Sequence, residues 1–200
     1  MKEHHNHPKN PLYPIFLKLH QLDMLIVGAG EVGYEKLFFI LKSSPDAQIT
    51  VVATWISDEV QQLAEQYPQI HLVIKPFEEQ DLKGRDLVIA ATNIRELNQE
   101  IQRLAKKHAI LVNVADTPDL CDFYLGSIVT RGPLKIGIST NGQSPTFAKR
   151  FRQMLEATLP ESTAQLIDQL HEFRDQLKGD FAYKVEQLNK ITESLLSEKK

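Results

Sequence analysis

Hydrophobic positions along the chain follow two rhythms. Short aliphatic or β-branched runs, Met24 to Val27, Ile49 to Ala53, Ile70 to Ile74, Leu87 to Ala91 and Ile110 to Val114, are bounded by turn residues or by a helical pattern. Between them, Val32 to Lys42, Asp58 to Gln66 and Ile94 to Lys107 carry apolar residues at spacings of three and four. Continuous apolar strands alternating with amphipathic helices predict a parallel sheet covered on both faces, since each crossover helix must bury its stripe against the sheet. The expected class is α/β, with a Rossmann-like parallel sheet over residues 12–115.

The texture changes after Asp116. Ser127 to Thr130 and Leu134 to Ser139 are strand-like and are separated by Arg131-Gly132-Pro133, a turn signal, so a hairpin is expected over residues 116–145, in a small separate module or an extension of the sheet. Ser144-Pro145 then opens a helix, Ser as the cap and Pro at the first helical position. Leu166, Leu170, Phe173, Leu177, Phe181, Val185, Leu188, Ile191 and Leu195 continue the three-and-four spacing, giving a helical region over 146–200 with Gly179 as a break. Residues 1–11 are polar and proline-containing and read as a flexible tail, and their His4, His5 and His7 lack a ligand at metal-binding spacing.

Composition narrows the function classes. With 42% hydrophobic and 24% charged residues the chain is globular and not disordered. A net charge of -3 gives no global field for nucleic acid or an anionic membrane, and no apolar run approaches the roughly 18 residues of a membrane helix. The single cysteine, Cys121, closes no intramolecular disulfide and the start has no signal-peptide core, so a cytoplasmic protein is expected. Cys121 reads as a small core residue, and no metal site is expected. Charge is uneven, however: residues 126–160 hold Arg131, Lys135, Lys149, Arg150 and Arg152 against Glu156 alone, whereas 161–200 hold six basic and eight acidic residues. The basic stretch suggests an anionic ligand, or else a solvated helix face.

Gly28-Ala29-Gly30-Glu31-Val32-Gly33 fits G-x-G-x-x-G between a strand and a helix. Gly28 would allow a tight turn, Gly30 a close backbone approach to a pyrophosphate, and Gly33 close helix-to-strand packing, while the amides at the helix start face the anion. The alternative is a glycine-rich turn with no ligand. The acidic residue usual at the end of the second strand is replaced by Val52-Ala53-Thr54-Trp55, which leaves Thr54 for the ribose and Trp55 for the adenine. No Arg or Lys lies between Ala47 and Ser57 to meet a 2′-phosphate, which favours NAD over NADP. Thr92-Asn93 and Asn113-Val114-Ala115-Asp116 end the fourth and fifth strands and would open toward the crevice, or serve as local caps and turns. Asp116 is a candidate acid or base, because partial burial there would raise its pKa; an Asx turn with Thr117-Pro118 is the competing reading.

Taken in order, Leu12 to Leu19 (LYPIFLKL), Leu25 to Gly33, Ile89 to Asn93, Asn113 to Asp116 and Ile138 to Pro145 (ISTNGQSP) resemble the precorrin-2 dehydrogenase family, the dehydrogenase and ferrochelatase portion of siroheme synthase. The resemblance runs from about Leu12 to Pro160. It implies NAD-dependent oxidation of precorrin-2 to sirohydrochlorin in a homodimer whose substrate cleft lies where the subunits meet, with ferrous iron inserted in some members. The family's essential aspartate corresponds to Asp116, in the role of general base. Its cofactor turn falls on Gly28, Gly30, Glu31, Val32 and Gly33, with Thr54 and Trp55 at the end of the second strand. Its turn before the helix falls on Thr140 to Ser144, with Asn141 in place of a frequent glycine. The acetate and propionate groups of the tetrapyrrole would give Arg131, Lys135, Thr140, Asn141, Ser144, Lys149 and Arg150 a partner. The methyltransferase fused to this unit in some organisms is not expected within these 200 residues. A rival reading is a nucleotide-sensing regulatory module without catalysis, although that class normally keeps the acid after the second strand.

Overall fold

A computed structural model describes residues 10–193. Its main chain forms two compact units that divide between Leu125 and Gly126. Most of the expected tail, including its three histidines, lies outside the described residues.

The first unit is a five-stranded parallel sheet: β1 (Asp23–Ala29), β2 (Gln48–Ile56), β3 (Ile70–Ile74), β4 (Leu87–Ala90) and β5 (Leu111–Val114), in the order β3-β2-β1-β4-β5. All four pairings are parallel. Helices α1 (Glu31–Ser43), α2 (Asp58–Gln66) and α3 (Arg95–Lys107) cover it. β4 is buried at every position, which is why its sequence reads as an unbroken apolar run. Strand side chains alternate between the two faces: Met24, Ile26, Ile49, Val51, Leu87 and Ile89 meet α1 and α2, while Leu25, Val27, Val88 and Ala90 meet Ile101, Leu104 and Ala105 of α3. The β3-to-β4 crossover has no α-helix; a short 3₁₀ turn at Glu79–Leu82 is held by a capping box between Glu78 and Asp81.

The second unit holds the expected hairpin, β6 (Ser127–Arg131) paired antiparallel with β7 (Leu134–Ile138), then α4 (Pro145–Thr158), α5 (Thr163–Gln176) and α6 (Phe181–Thr192). Ser144 Oγ accepts a hydrogen bond from the Phe147 amide at 3.2 Å, with Pro145 at the first helical position. Gly179, at φ +144°, separates α5 from α6, and Asp180 caps α6.

The junction between units falls ten residues later than the sequence boundary at 115/116, and no second junction occurs at 145/146. The reason is that residues 116–125 are bound to β5. The Asp122 amide donates to the Val112 carbonyl at 2.7 Å, and Asn113 Nδ2 donates to the Phe123 carbonyl at 2.8 Å. α4 packs on β6 and α5 on β7, so hairpin and helices form one body.

Candidate active site

Sheet order reverses direction of growth at β1, with β2 on one side and β4 on the other, and ligands of doubly wound sheets bind at the carboxyl ends of the strands at such a switch. The glycine turn sits there. Gly28 has φ +107°, and a Cβ on it would lie 2.5 Å from the Ala91 carbonyl oxygen, so the β1 and β4 chains touch at this point. A Cβ on Gly33 would collide with the Gly28 carbonyl, which seats α1 directly on the turn. A Cβ on Gly30, in contrast, would meet nothing within 4 Å. Gly30 is the N-cap of α1 and offers no side chain to its free amides. An open cradle lined by backbone donors at the positive end of a helix suits a pyrophosphate. Glu31 is exposed and Val32 packs half-buried on the core.

The β1–β2 register slips beyond Val27: Val27 faces Val52, but Ala29 faces Ile56. The extra residues of β2 bulge at its carboxyl end, where Thr54 is exposed and Trp55 is 65% exposed. The Ser57 amide, donating to the Ala29 carbonyl at 3.0 Å, keeps this bulge beside the glycine turn. Trp55 thus presents a large, open indole beside the glycine turn.

On the other side of β1, the ends of β4 and β5 enclose a cleft of about 190 Å³ lined by Thr92, Asn93, Arg95, Asn98, Val114 and Asp116, among others. A larger hollow, about 370 Å³, lies at the amino ends of β4 and β5 around Glu79, Lys83 and His108, the wrong end of a doubly wound sheet for a cofactor. Asp116 adopts a left-handed backbone, φ 56°, in a turn closed by the Thr117 amide on the Val114 carbonyl. Its side chain is exposed, where the strand-end position suggests partial burial. Cys121 fastens the turn: its one thiol proton has the Val114 and Thr117 carbonyls within reach, at 3.2 and 3.4 Å, and its sulfur accepts from the Val114 amide at 3.2 Å. Burial pushes that thiol up from its ordinary value of 9.0, with the Val114 hydrogen bond opposing.

Thr92 lines the cleft while also serving as a local fastener, and Asn113 departs from the crevice-facing reading. Thr92 is engaged with its own loop and with Asn98, a buried residue that periodicity gave no reason to single out. Asn113 is buried and its amide holds the 121–123 segment, leaving it a structural fastener. Asn93 is exposed on the loop between them.

Within the second unit, Asn141 (φ 52°) and Gly142 (φ 76°) are both left-handed, a conformation asparagine tolerates. Thr140 Oγ1 accepts from the Ser144 amide at 3.1 Å, so Thr140 and Ser144 shape the turn. The basic residues divide. Arg131 is spent on α4, donating to the Glu156 and Leu159 carbonyls at its C-terminal end, and Arg152 pairs with Glu156 one helical turn on. Arg131 is therefore a helix cap rather than an open anion ligand. Lys149 and Arg150 are exposed near the start of α4, and Arg150 contacts Gln153. Lys135 lies on β7. Among the described residues no cluster of His, Cys, Asp and Glu forms a metal site.

Comparisons with known proteins bear on the fold and the family. An NAD(P)-binding family model matches residues 15–127, and the model of the sirohaem biosynthesis protein central region matches residues 131–158. The chain is 41% identical over 169 residues to the siroheme synthase of Pseudoalteromonas atlantica, covering 84% of this chain and 36% of the relative. It is 38% identical over 170 residues to that of Nitrosomonas europaea, covering 85% and 35%. The chain thus spans about a third of the length of these relatives. The solved structure of SirC, precorrin-2 dehydrogenase, superposes with a TM-score of 0.70 at 30% identity, covering 90% of this chain and 89% of that one. With an NAD(P)-binding match over more than half its length and near end-to-end likeness to SirC, the chain belongs to the precorrin-2 dehydrogenase family.

Proposed function

We propose that this chain catalyses the NAD-dependent oxidation of precorrin-2 to sirohydrochlorin. The observation that carries the reading is the placement of the Asp116 turn and the open Gly30 cradle at the carboxyl ends of one sheet, on strands separated only by β4. Oxidation removes a hydride and a proton from the macrocycle. NAD, when bound, supplies the hydride acceptor. The Gly30 backbone and the first amides of α1 would hold its pyrophosphate, and Trp55 would present a face to its adenine. Asp116 Oδ takes the proton. Its exposure leaves the carboxylate accessible to a large substrate. The absence of Arg and Lys from residues 47–57 supports NAD over NADP. Lys149 and Arg150 are the open cations for the substrate's acid groups, Lys135 stands on the same unit, and Arg131 drops out.

Anaerobic incubation with precorrin-2 and NAD tests the reading. NADH should form one-for-one with sirohydrochlorin, and Asp116→Ala should lower kcat at least a hundredfold, the lower bound for a general base. No NADH above the enzyme-free control overturns the assignment. Ferrous iron insertion is a second reading, favoured by the name siroheme synthase borne by the relatives. Sirohydrochlorin plus ferrous iron without NAD should then give the siroheme spectrum faster than the blank. Assembly as a homodimer is part of the proposal: in the second unit only Val129 and Ala148 are fully buried apolar residues among those described, while Phe147, Phe151 and Met154 of α4 are exposed.

A further inference from the structure

We propose that Asn98 is a positioning residue that sets where the nicotinamide half of the cofactor lies relative to Asp116; the inference rests on the dehydrogenase reading above. Asn98 lies in the first turns of α3 and is 8% exposed. Its side-chain amide pairs with Thr92 as one strand pairs with another. Oδ1 accepts from the Thr92 amide at 3.2 Å, and Nδ2 donates to the Thr92 carbonyl at 2.9 Å. Oδ1 also lies 2.7 Å from the Thr92 hydroxyl, which accepts from the Ile94 amide at 3.2 Å. One side chain therefore satisfies both main-chain groups of the residue at which β4 leaves the sheet.

That residue is where the two halves of the site meet. The Ala91 carbonyl and the Thr92 amide are the atoms a Cβ on Gly28 would strike, at 2.5 and 3.0 Å. Thr92 and Asn98 also line the cleft that contains Val114 and Asp116. A shift of the β4–α3 loop thus moves the wall between the glycine turn and the carboxylate. Besides that contact with Ala91 and Thr92, the glycine turn has supports of its own, Gly33 beneath it and the β2 bulge beside it. Loss of the Asn98 clamp leaves the adenosine and pyrophosphate half of the site intact and loosens only the half near Asp116.

Asn98→Asp is nearly isosteric, keeps the acceptor toward the Thr92 amide and removes the donor toward the Thr92 carbonyl. Trp55, the one tryptophan in the sequence, reports binding through its fluorescence. ADP, which reaches only the glycine turn and Trp55, should bind Asn98→Asp within about twofold of the parent. NAD should bind about tenfold more weakly, the equivalent of one buried hydrogen bond, and kcat with precorrin-2 should fall by at least as much. If Asn98→Asp melts below the assay temperature, Asn98→Ser, which keeps a donor and an acceptor without the charge, takes its place with the same expectation. Parent-like NAD binding and kcat overturn the proposal. So does an equal weakening of ADP and NAD, which marks a purely structural residue. The nucleotide titrations use no tetrapyrrole, so they judge Asn98 independently of whether the parent chain oxidises precorrin-2.

Discussion

Gly30 and Gly33 stand one helical turn apart, yet a methyl group added to each should act on different quantities. At Gly33 it meets the Gly28 carbonyl, a backbone atom fixed between β1 and α1, so overpacking of about 1–3 kcal/mol is expected and urea unfolding should read it. At Gly30 the methyl enters open space on a residue whose φ of -86° alanine adopts freely. Gly30→Ala should unfold at the parent's urea midpoint but bind NAD at least tenfold more weakly. Unchanged NAD affinity in that variant would remove the pyrophosphate from the cradle. Cys121 offers a further single-residue test. An acid whose folded pKa is raised stays protonated when the unfolded form ionises, so its contribution to stability is present below the ordinary value and is lost as pH rises above 9.0. Iodoacetamide should accordingly modify Cys121 slowly at pH 8 and faster only above the range of a free thiol. Labelling at a free thiol's rate at pH 8 would contradict the half-buried, hydrogen-bonded placement.

At the level of elements, the open question for a sheet is its edge. β5 is the last strand in its order, and its outer side would present unpaired amides and carbonyls. Residues 121–123 take the place of a sixth strand using side chains: Asp122 Oδ2 accepts from the Val112 amide at 3.0 Å, Asp122 N donates back to Val112, and the Cys121 thiol serves Val114. Asp122→Ala should therefore cost about 1–3 kcal/mol in unfolding free energy, because it orphans the Val112 amide. Lys106→Ala, which removes only the exposed ion-pair partner of Asp122, should cost less than about 1 kcal/mol. Equal costs would mean that the ion pair, and not the edge cap, matters. The same contrast separates what was legible in the sequence from what was not. β1, β4 and the glycine turn are local: burial on both faces writes an apolar run, and a left-handed or crowded backbone writes a glycine. Asn98, Asp122 and Arg131 are not local in this sense. Each is a polar residue on or beside a legible element, and its partner lies 6, 10 or 25 or more residues away, at a distance only the folded chain specifies. Asp116 could be picked out by its place at a strand end, but its exposure could not.

For the whole molecule, the two units differ in how they are held. The first carries a core on both faces of its sheet, with Ile26, Val88, Ile89, Ile101 and Val112 wholly inaccessible. In the second, α5 and α6 contribute no buried residue, and Phe147 and Phe151 stack on each other at 5.8 Å while 58% and 36% exposed. Ordering a residue costs roughly 1–2 kcal/mol of backbone entropy, and so thin a core offsets little of it. A second copy that covers α4 would supply the missing burial, which ties the stability of this unit to protein concentration. Dilution should then lower the thermal midpoint of the second unit's helices, followed by circular dichroism. NAD binding followed through Trp55 should persist, since every residue assigned to the cofactor lies before Asp122. Phe151→Asp places a charge in the proposed interface on a side chain that is not buried within the chain. It should yield a species of monomer mass by light scattering, with part of the helical signal lost, NAD binding retained and precorrin-2 oxidation abolished. A variant that remains dimeric and active would show that the α4 face is not where two copies meet.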